Sequence, residues 1–147
     1  MPAAALQPFR ELLGLTPEQW NRATHLVMLH MLLDELLTTV IVLRMDSQAA
    51  DAAQERITEM VAGLFFERRV RFAAEAGWIP KELATALRRT NRLRTALLHF
   101  GPQRTRRVPP EIMSRDAFVG AWNRAVDAMR ELSNRAYPSL AKALGPR

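Results

Sequence analysis

The sequence predicts an all-α fold, a compact bundle of five to six helices. Apolar residues recur at helical spacing along most of the chain, and glycine and proline fall mainly between these segments. No run of alternating β-branched residues bounded by turn signals occurs, so strands are not expected. With 147 residues, 48% of them hydrophobic and 24% charged, the chain is long enough for a single domain with a buried core. We expect this core at about residues 17–100 and a C-terminal helical extension at about residues 111–147.

Local signals place the ends of the helices in the first half of the chain. Gly14 ends a first, short helix. The segment Thr16-Pro17-Glu18-Gln19 fits a capping box, with a Thr N-cap, Pro at the first helical position and Gln three residues after the cap. Gly63 breaks the helical pattern again, and Gly77 is a natural C′ residue for the helix before it.

Proline and glycine also bound the helices of the second half. Pro80 starts a helix that Gly101-Pro102 stops, and the Arg- and Pro-rich stretch Gln103–Pro110 is predicted to be a loop. Ser114 or Asp116 can cap the last long helix, and Pro138 separates this helix from the tail. The predicted helices cover Phe9–Leu13, Pro17 to about Met45, about Ala49–Ala62, Leu64–Ala76, Pro80–Phe100 and Ser114 to about Ala136, with a short tail segment ending near Leu144.

The residue types present exclude several kinds of site. The chain has no cysteine, which excludes a disulfide scaffold, thiolate chemistry and a Cys-based zinc site. None of the three histidines has metal-ligand spacing, and there is no Gly-rich phosphate loop. We therefore expect no metal and no cofactor.

The apolar run Leu26–Leu43 raises the question of a membrane span. His30, Asp34 and Glu35 lie near its middle, and an ionised carboxylate at a bilayer centre costs on the order of several kcal/mol. A buried helix of a soluble protein explains the run better. The N-terminus has no basic region followed by an apolar core, so no secretory signal is recognised. We expect a cytoplasmic protein without membrane contact.

Positive charge is concentrated in the second half of the chain. Residues 1–67 carry four arginines and nine acids, a net charge of −5, whereas residues 68–147 carry 17 basic residues and six acids, a net charge of +11. This asymmetry favours an anionic partner, with nucleic acid the first candidate. The alternative is that the acidic half partly neutralises the basic half where the two pack together.

An arginine and an aspartate each interrupt an apolar stripe. Arg94 lies in the stripe of the helix that Pro80 starts, and Asp34 lies in that of the helix that Pro17 starts, with Glu35 on its flank. A buried charge without a partner is very costly. We therefore expect Arg94 to contact Asp34 or Glu35, either in the same chain or across a dimer interface.

A polar ridge lies on the opposite face of the same helix. Its residues are two cations, a hydroxyl and an imidazole at spacings of four, three and four, and they are Arg88, Arg92, Thr95 and His99. Most charge runs of this kind are solvated helix faces, and the helix dipole gives a histidine in the last turn a structural role. With the arginines of the following loop, the candidate nucleic-acid contacts are Arg88, Arg92, Arg104, Arg106 and Arg107.

The segment from Thr90 to His99, TNRLRTALLH, resembles the signature of the HEPN superfamily, an Arg followed by a polar residue and by a His four to six residues further on. Here the Arg is Arg94 and the His is His99. The preceding segment LFFERRVRFAAEAGWIP resembles the basic helix and glycine turn before that signature in relatives such as the mannitol operon repressor. The long helix with Asp34 and Glu35 is similar to the acid-bearing helix of the same proteins, and the resemblance spans about residues 20–100.

The resemblance implies a dimeric, metal-independent endoribonuclease or toxin in which the Arg and His of two protomers line a shared cleft. It implies that His99 is the general acid or base for the ribose 2′-OH or the leaving oxygen, and that Arg94 stabilises charge on the phosphate. Thr95 takes the place of the intervening polar residue. The implied partners are a second copy, RNA, and an antitoxin or regulatory protein.

Two other interpretations stay open. One is a non-catalytic transcriptional regulator or interaction module of the mannitol-repressor kind, in which Arg94 binds Asp34 or Glu35 for structure alone. The other is a helical dimer whose arginines reflect genome composition. The long helix is apolar on nearly every side, which favours a dimer. The exposure of Arg94 distinguishes the non-catalytic regulator from the nuclease. An Arg94 that is fully buried and paired with an acid cannot reach a phosphate.

Overall fold

A computed structural model describes residues 10–11, 14–45, 51–99 and 108–138, except for the side chains of residues 51–55 and 99. Within these ranges the chain forms six helices and no strand, which confirms the predicted all-α bundle. The helices are α1 (Pro17–Met45), α2 (Asp51–Ala62), α3 (Phe66–Glu75), α4 (Lys81–His99), α5 (Pro110–Met113) and α6 (Arg115–Ala136). Of the short helix predicted over Phe9–Leu13, residues 10 and 11 are described and are helical, and the tail segment ending near Leu144 lies outside the described residues.

The ends of the two long helices follow their capping signals. The N–H of Thr16 donates to Gln19 Oε1 at 3.0 Å, and the N–H of Gln19 donates to Thr16 Oγ1 at 3.2 Å, as a capping box requires. At the start of α6, Ser114 Oγ accepts a hydrogen bond from the N–H of Ala117 at 3.4 Å. Both caps satisfy N–H groups that the helix itself leaves unpaired.

The turn between α3 and α4 is a Schellman motif built around Gly77. This residue has a φ of +74°, in the left-handed region. Its N–H donates to the carbonyl oxygen of Ala74 at 3.1 Å, and the N–H of Trp78 donates to that of Ala73 at 2.9 Å. The rings of Phe72 and Trp78 meet edge to face at 5.2 Å, which adds the apolar contact typical of the motif.

Helix α5 lies at the start of the helical extension expected from about residue 111, but it was not predicted as a separate short helix before Ser114. Residues up to Pro110 were expected to form a loop, but Pro110–Met113 is helical. Ile112 is fully buried, and Arg22 Nη1 donates to its carbonyl oxygen at 2.9 Å. Four residues are too few to show a helical period, so only the tertiary contacts distinguish this turn of helix from a loop.

Helix α1 lies at the centre of the bundle and contacts each of the five other helices. Helix α6, which the sequence set apart as an extension, packs against α1 through small residues that allow close approach, among them Ala125 and Ala128. Burial of each large core side chain contributes roughly 1.5–3 kcal/mol. The buried face of α1 consists of Leu26, Leu29, His30, Leu33, Leu37, Val40 and Ile41.

By length and composition alone, α1 passes the test for a membrane span, a test that core helices of soluble proteins also pass. In this structure its buried face forms the core. Its opposite face carries exposed apolar side chains at spacings of three and four, of which Met28, Met31 and Leu32 are more than half exposed. We call these three residues the apolar face of α1.

Candidate nucleic-acid site

Helix α4 positions the predicted site residues by burying one apolar edge. Leu83 and Leu87 are almost completely buried in the main core, and Leu97 is buried in a second cluster with Leu26 of α1. With these positions fixed, helical geometry determines where the other side chains of α4 point. The predicted site residues on α4 are Arg88, Arg92, Arg94, Thr95 and His99.

The acid of α1 has a partner that the sequence did not identify. Asp34 Oδ1 forms an ion pair with Arg69 Nη2 of α3, and Arg69 Nη1 donates to Thr38 Oγ1. Within one chain, then, the partner of Asp34 is Arg69 and not the expected Arg94. Glu35 is exposed and has no ion pair within the described part of the chain. A contact of Arg94 with either acid across a dimer interface stays a prediction.

The position of Arg69 in α3 explains this pairing. Phe66, Arg69, Val70 and Ala73 are all buried, at the spacing of one helix face. Since Arg69 is only 5% exposed, its charge needs a partner, and Asp34, whose side chain is 39% exposed, is the acid that it contacts. The same spacing in the sequence was the signal that could have identified Arg69 as a buried cation.

Arg94 is left without the acid and is half-buried. Its Nε is buried and has no hydrogen-bond partner among the described residues. Asn91 Oδ1, one turn earlier on α4, is likewise buried and has no hydrogen-bond partner among the described residues. A cation so placed is stabilised by solvent or by an anion at its outer end.

A buried histidine lies beside these groups. His30 of α1 is 3% exposed, and its ring centroid lies 4.5 Å from that of Phe66. Burial is the main cause that lowers the pKa of His30 from 6.5 to about 4. The guanidiniums of Arg94 and Arg69 lower this pKa further, while Asp34 and the Asn91 side chain raise it, so all four act on the ring. We call His30, Asp34, Arg69, Asn91 and Arg94 the polar cluster.

The other residues of the predicted ridge have separate surroundings. Thr95 Oγ1 donates to the carbonyl oxygen of Asn91 at 3.0 Å, so its proton is engaged within the helix. Arg88 Nε donates to Glu67 Oε1 at 2.7 Å in an ion pair on the surface. Arg92 is exposed. Among the described residues of the ridge, Arg92 therefore presents its charge to solvent most directly.

An open groove lies beside Arg92, with a volume of about 510 Å³. Arg89, which the sequence analysis did not single out, contributes a second exposed cation to it. Glu111 of α5 also lines the groove and carries a negative charge. The lining is completed by apolar residues of α4 and of the segment before α5, which are Leu93, Ala96, Val108, Pro109 and Pro110.

Several predicted site residues lie outside the described residues. Arg104, Arg106 and Arg107 belong to a segment that is not described, and of His99 only the backbone, at the end of α4, is described. Arg94 and His99 are about 140° apart around a regular helix, since each residue turns the helix by about 100°. On one chain the two residues therefore start from different faces of α4.

Within the described ranges, no group of three or more histidine, aspartate or glutamate side chains could hold a metal ion. In comparisons with known proteins, no family model, no curated protein and no solved structure matches this chain. The site is thus characterised by its own residues and by their surroundings.

Proposed function

We propose that the chain is a HEPN-like protein that acts on RNA, as a metal-independent endoribonuclease with an active site shared between two protomers. One observation carries this proposal. Arg69 pairs with Asp34, so that Arg94 keeps a positive charge without an ion-pair partner among the described residues. An arginine committed to a structural ion pair could not serve a phosphate, whereas a half-buried arginine whose charge is not neutralised is suited to bind one.

The proposed reaction uses two residues of α4. His99 removes the proton of a ribose 2′-OH, whose oxygen attacks the adjacent phosphorus, or gives a proton to the 5′-oxygen that leaves. Arg94 stabilises the negative charge that develops on the phosphate oxygens. Because Arg94 and His99 of one chain begin on different faces of α4, the partner protomer supplies the second half of each site.

The apolar face of α1 supports the proposed dimer. Met28, Met31 and Leu32 are 59%, 62% and 53% exposed, and they lie together on one side of the helix. A soluble chain that leaves several large side chains exposed side by side gains free energy by covering them. A second copy of the chain is the proposed occupant, and an antitoxin or a regulatory protein is an additional partner.

The groove beside Arg92 is the proposed path for the RNA backbone. Arg89 and Arg92 line it, and Arg88 contributes less because Glu67 is bound to it. Arg104, Arg106 and Arg107 follow α4 in the sequence, in a segment outside the described residues, and we propose that their three positive charges also contact the RNA.

The test is cleavage of a mixed RNA pool in the presence of EDTA. We expect wild type to cleave the pool, and Arg94→Ala and His99→Ala each to lower the rate by about 100-fold or more, since each removes a group that acts in the transition state. Helical content, measured by circular dichroism, is expected to stay unchanged in both variants.

Arg130→Ala is the matched control. Arg130 is an exposed arginine of α6, paired at 3.4 Å with Asp127, and its loss removes one positive charge far along the chain from the site. It should retain cleavage. A folded wild type that cleaves none of the pool, or an Arg94→Ala variant that cleaves as well as wild type, would contradict the proposal and favour the regulator.

A further inference from the structure

The polar cluster contains two guanidinium groups and one carboxylate. Asp34 comes from α1, Arg69 from α3 and Arg94 from α4, so three helices bring one acid and two bases to the same region. Helix α1 contacts both α3 and α4, Asp34 lies one turn after the buried His30 on α1, and Arg94 lies one turn after Asn91 on α4. The charges of Asp34, Arg69 and Arg94 also act on the ring of His30. One carboxylate can neutralise one of the two guanidiniums, and the structure assigns it to Arg69.

Arg69 is held in place by three contacts. It pairs with Asp34, donates to Thr38 Oγ1, and has its guanidinium carbon 5.8 Å from the ring centroid of Phe66. These contacts fix a planar group whose side chain is almost completely buried. Arg69 therefore competes for Asp34 with a large advantage over an arginine that reaches it from α4.

The polar atoms around the cluster are poorly satisfied by hydrogen bonds. Four buried side-chain atoms of the polar cluster lack a hydrogen-bond partner among the described residues, whereas Asp34 Oδ1 has the ion pair with Arg69. The four atoms are His30 Nε2, Arg69 Nε, Asn91 Oδ1 and Arg94 Nε. Buried polar groups of this kind are satisfied by ordered water or an ion, or serve a function.

We propose that Arg69 is a positioning residue, which occupies Asp34 and thereby keeps the guanidinium of Arg94 available for an anionic substrate. The identity of that anion as an RNA phosphate rests on the function proposed above. The competition between the two arginines for one carboxylate does not depend on it, and it is tested separately.

The first measurement concerns the competition alone. In Arg69→Met, Asp34 has only Arg94 left as a cation in the cluster. Coupling between Asp34 and Arg94 is measured by double-mutant cycles of unfolding, with Asp34→Asn and Arg94→Met, in the wild-type and the Arg69→Met backgrounds. We expect the coupling to increase by a factor of about ten in the unfolding equilibrium constant when Arg69 is absent. The ¹⁵Nε resonance of Arg94 should shift in parallel.

The second measurement concerns the anion. The affinity for a single-stranded RNA pool is measured at fixed salt, under conditions in which the RNA is not cleaved. It should weaken by about tenfold in Arg69→Met, because Asp34 then forms an ion pair with Arg94. The double variant Arg69→Met/Asp34→Asn removes the competing acid and should restore the wild-type affinity. Arg71→Met is the matched control, since Arg71 lies on the same helix in an exposed ion pair with Glu75 at 2.8 Å.

The outcomes separate the inference from the proposed function. An unchanged coupling between Asp34 and Arg94 in Arg69→Met overturns the inference, whatever RNA does. An increased coupling in a chain that binds no RNA supports the inference and contradicts the proposed function. If Arg69→Met unfolds while Arg69→Met/Asp34→Asn folds, Arg94 cannot reach Asp34, and the inference is wrong. If neither folds, Arg69→Gln, which removes the charge but keeps a group that can form hydrogen bonds, is measured in the same cycles, and an unchanged coupling there overturns the inference.

Discussion

His30 shows at the residue scale how strongly one position can depend on its surroundings. An imidazole beside two guanidiniums and deep in a helical core is stable only in its neutral form. In the sequence His30 lies within the apolar run Leu26–Leu43, and in the structure its ring is buried in the core. The sequence could not indicate the cations around it, since they come from α3 and α4.

His30 is expected to make the folded chain sensitive to acid. Its pKa of about 4 in the folded chain lies below the ordinary value of 6.5, so the unfolded chain binds the proton more tightly. The free energy of unfolding should therefore fall as the pH drops from about 6.5 towards 4, by roughly 2–3 kcal/mol at pH 4.5. Urea unfolding of wild type and His30→Gln across this range measures the difference in slope.

His25→Gln is the control for this experiment. His25 is on the same helix but is exposed, with Nδ1 2.6 Å from the carbonyl oxygen of Asn21. The variant should lose stability with falling pH as wild type does, whereas His30→Gln should lose less. Equal slopes for wild type and His30→Gln would show that another group causes the acid sensitivity.

At the scale of elements, short capping patterns determine where helices begin and end. The capping box at Thr16 and the glycine at position 77 were recognised in the sequence, and both have the hydrogen bonds that the patterns predict. Arg135 Nη1 of α6 also donates to the carbonyl oxygen of Trp78 at 3.1 Å. The turn after α3 is therefore held by its own backbone and by another helix.

Gly77→Ala should destabilise the chain by about 1–2 kcal/mol, the cost of a left-handed conformation for a residue with a Cβ. No atom lies within 4 Å of the position that this Cβ would take, so backbone strain is the expected cause. Gly77→Asn should cost less, because asparagine adopts this conformation more readily. Chemical denaturation compares the two, and an alanine variant as stable as wild type would contradict the strain.

At the scale of the whole molecule, the acidic and basic halves of the chain pack against each other. The pairs Asp34–Arg69 and Glu67–Arg88 both join an acid of the first half to an arginine of the second. Mutual neutralisation, one of the two explanations for the charge asymmetry, thus operates at these two places. Arg89 and Arg92 of the groove have no ion pair within the described residues and support the other explanation, an anionic partner.

The proposed dimer can be tested through the apolar face of α1. Met28→Glu combined with Leu32→Lys adds a favourable i, i+4 pair and no net charge, so the helix should keep its stability while the face becomes polar. We expect a dimer for wild type and a monomer for this variant in sedimentation equilibrium. RNA cleavage should be lost with the dimer, because the proposed active site needs both protomers.

Met60→Glu provides the comparison for that variant. Met60 is an exposed methionine of α2, 56% exposed, and lies outside the apolar face of α1. It should leave the dimer intact. A wild-type chain that is monomeric at all concentrations, or a double variant that still dimerises, would contradict the proposed interface.

The sequence by itself determined the helical fold class and most helix boundaries. The helical period, the capping residues and the helix-breaking residues are local features of the sequence. Thr16 therefore suffices to place the start of α1, Gly77 the end of α3 and Ser114 the start of α6. The fold class and these helix boundaries needed no information about contacts between distant residues. Helix α5 was missed because its four residues have no period and depend on the burial of Ile112.

Tertiary structure alone decided how the charges are paired. In the sequence, Arg69 and Arg94 are both arginines within apolar stripes, and either could have neutralised Asp34. The choice depends on which helix packs its buried face against α1 near Asp34. The helical period in the sequence shows which face of each helix is buried, but it does not show which helix that face contacts. The packing of α3 selected Arg69, and this leaves Arg94, on α4, without an ion-pair partner among the described residues.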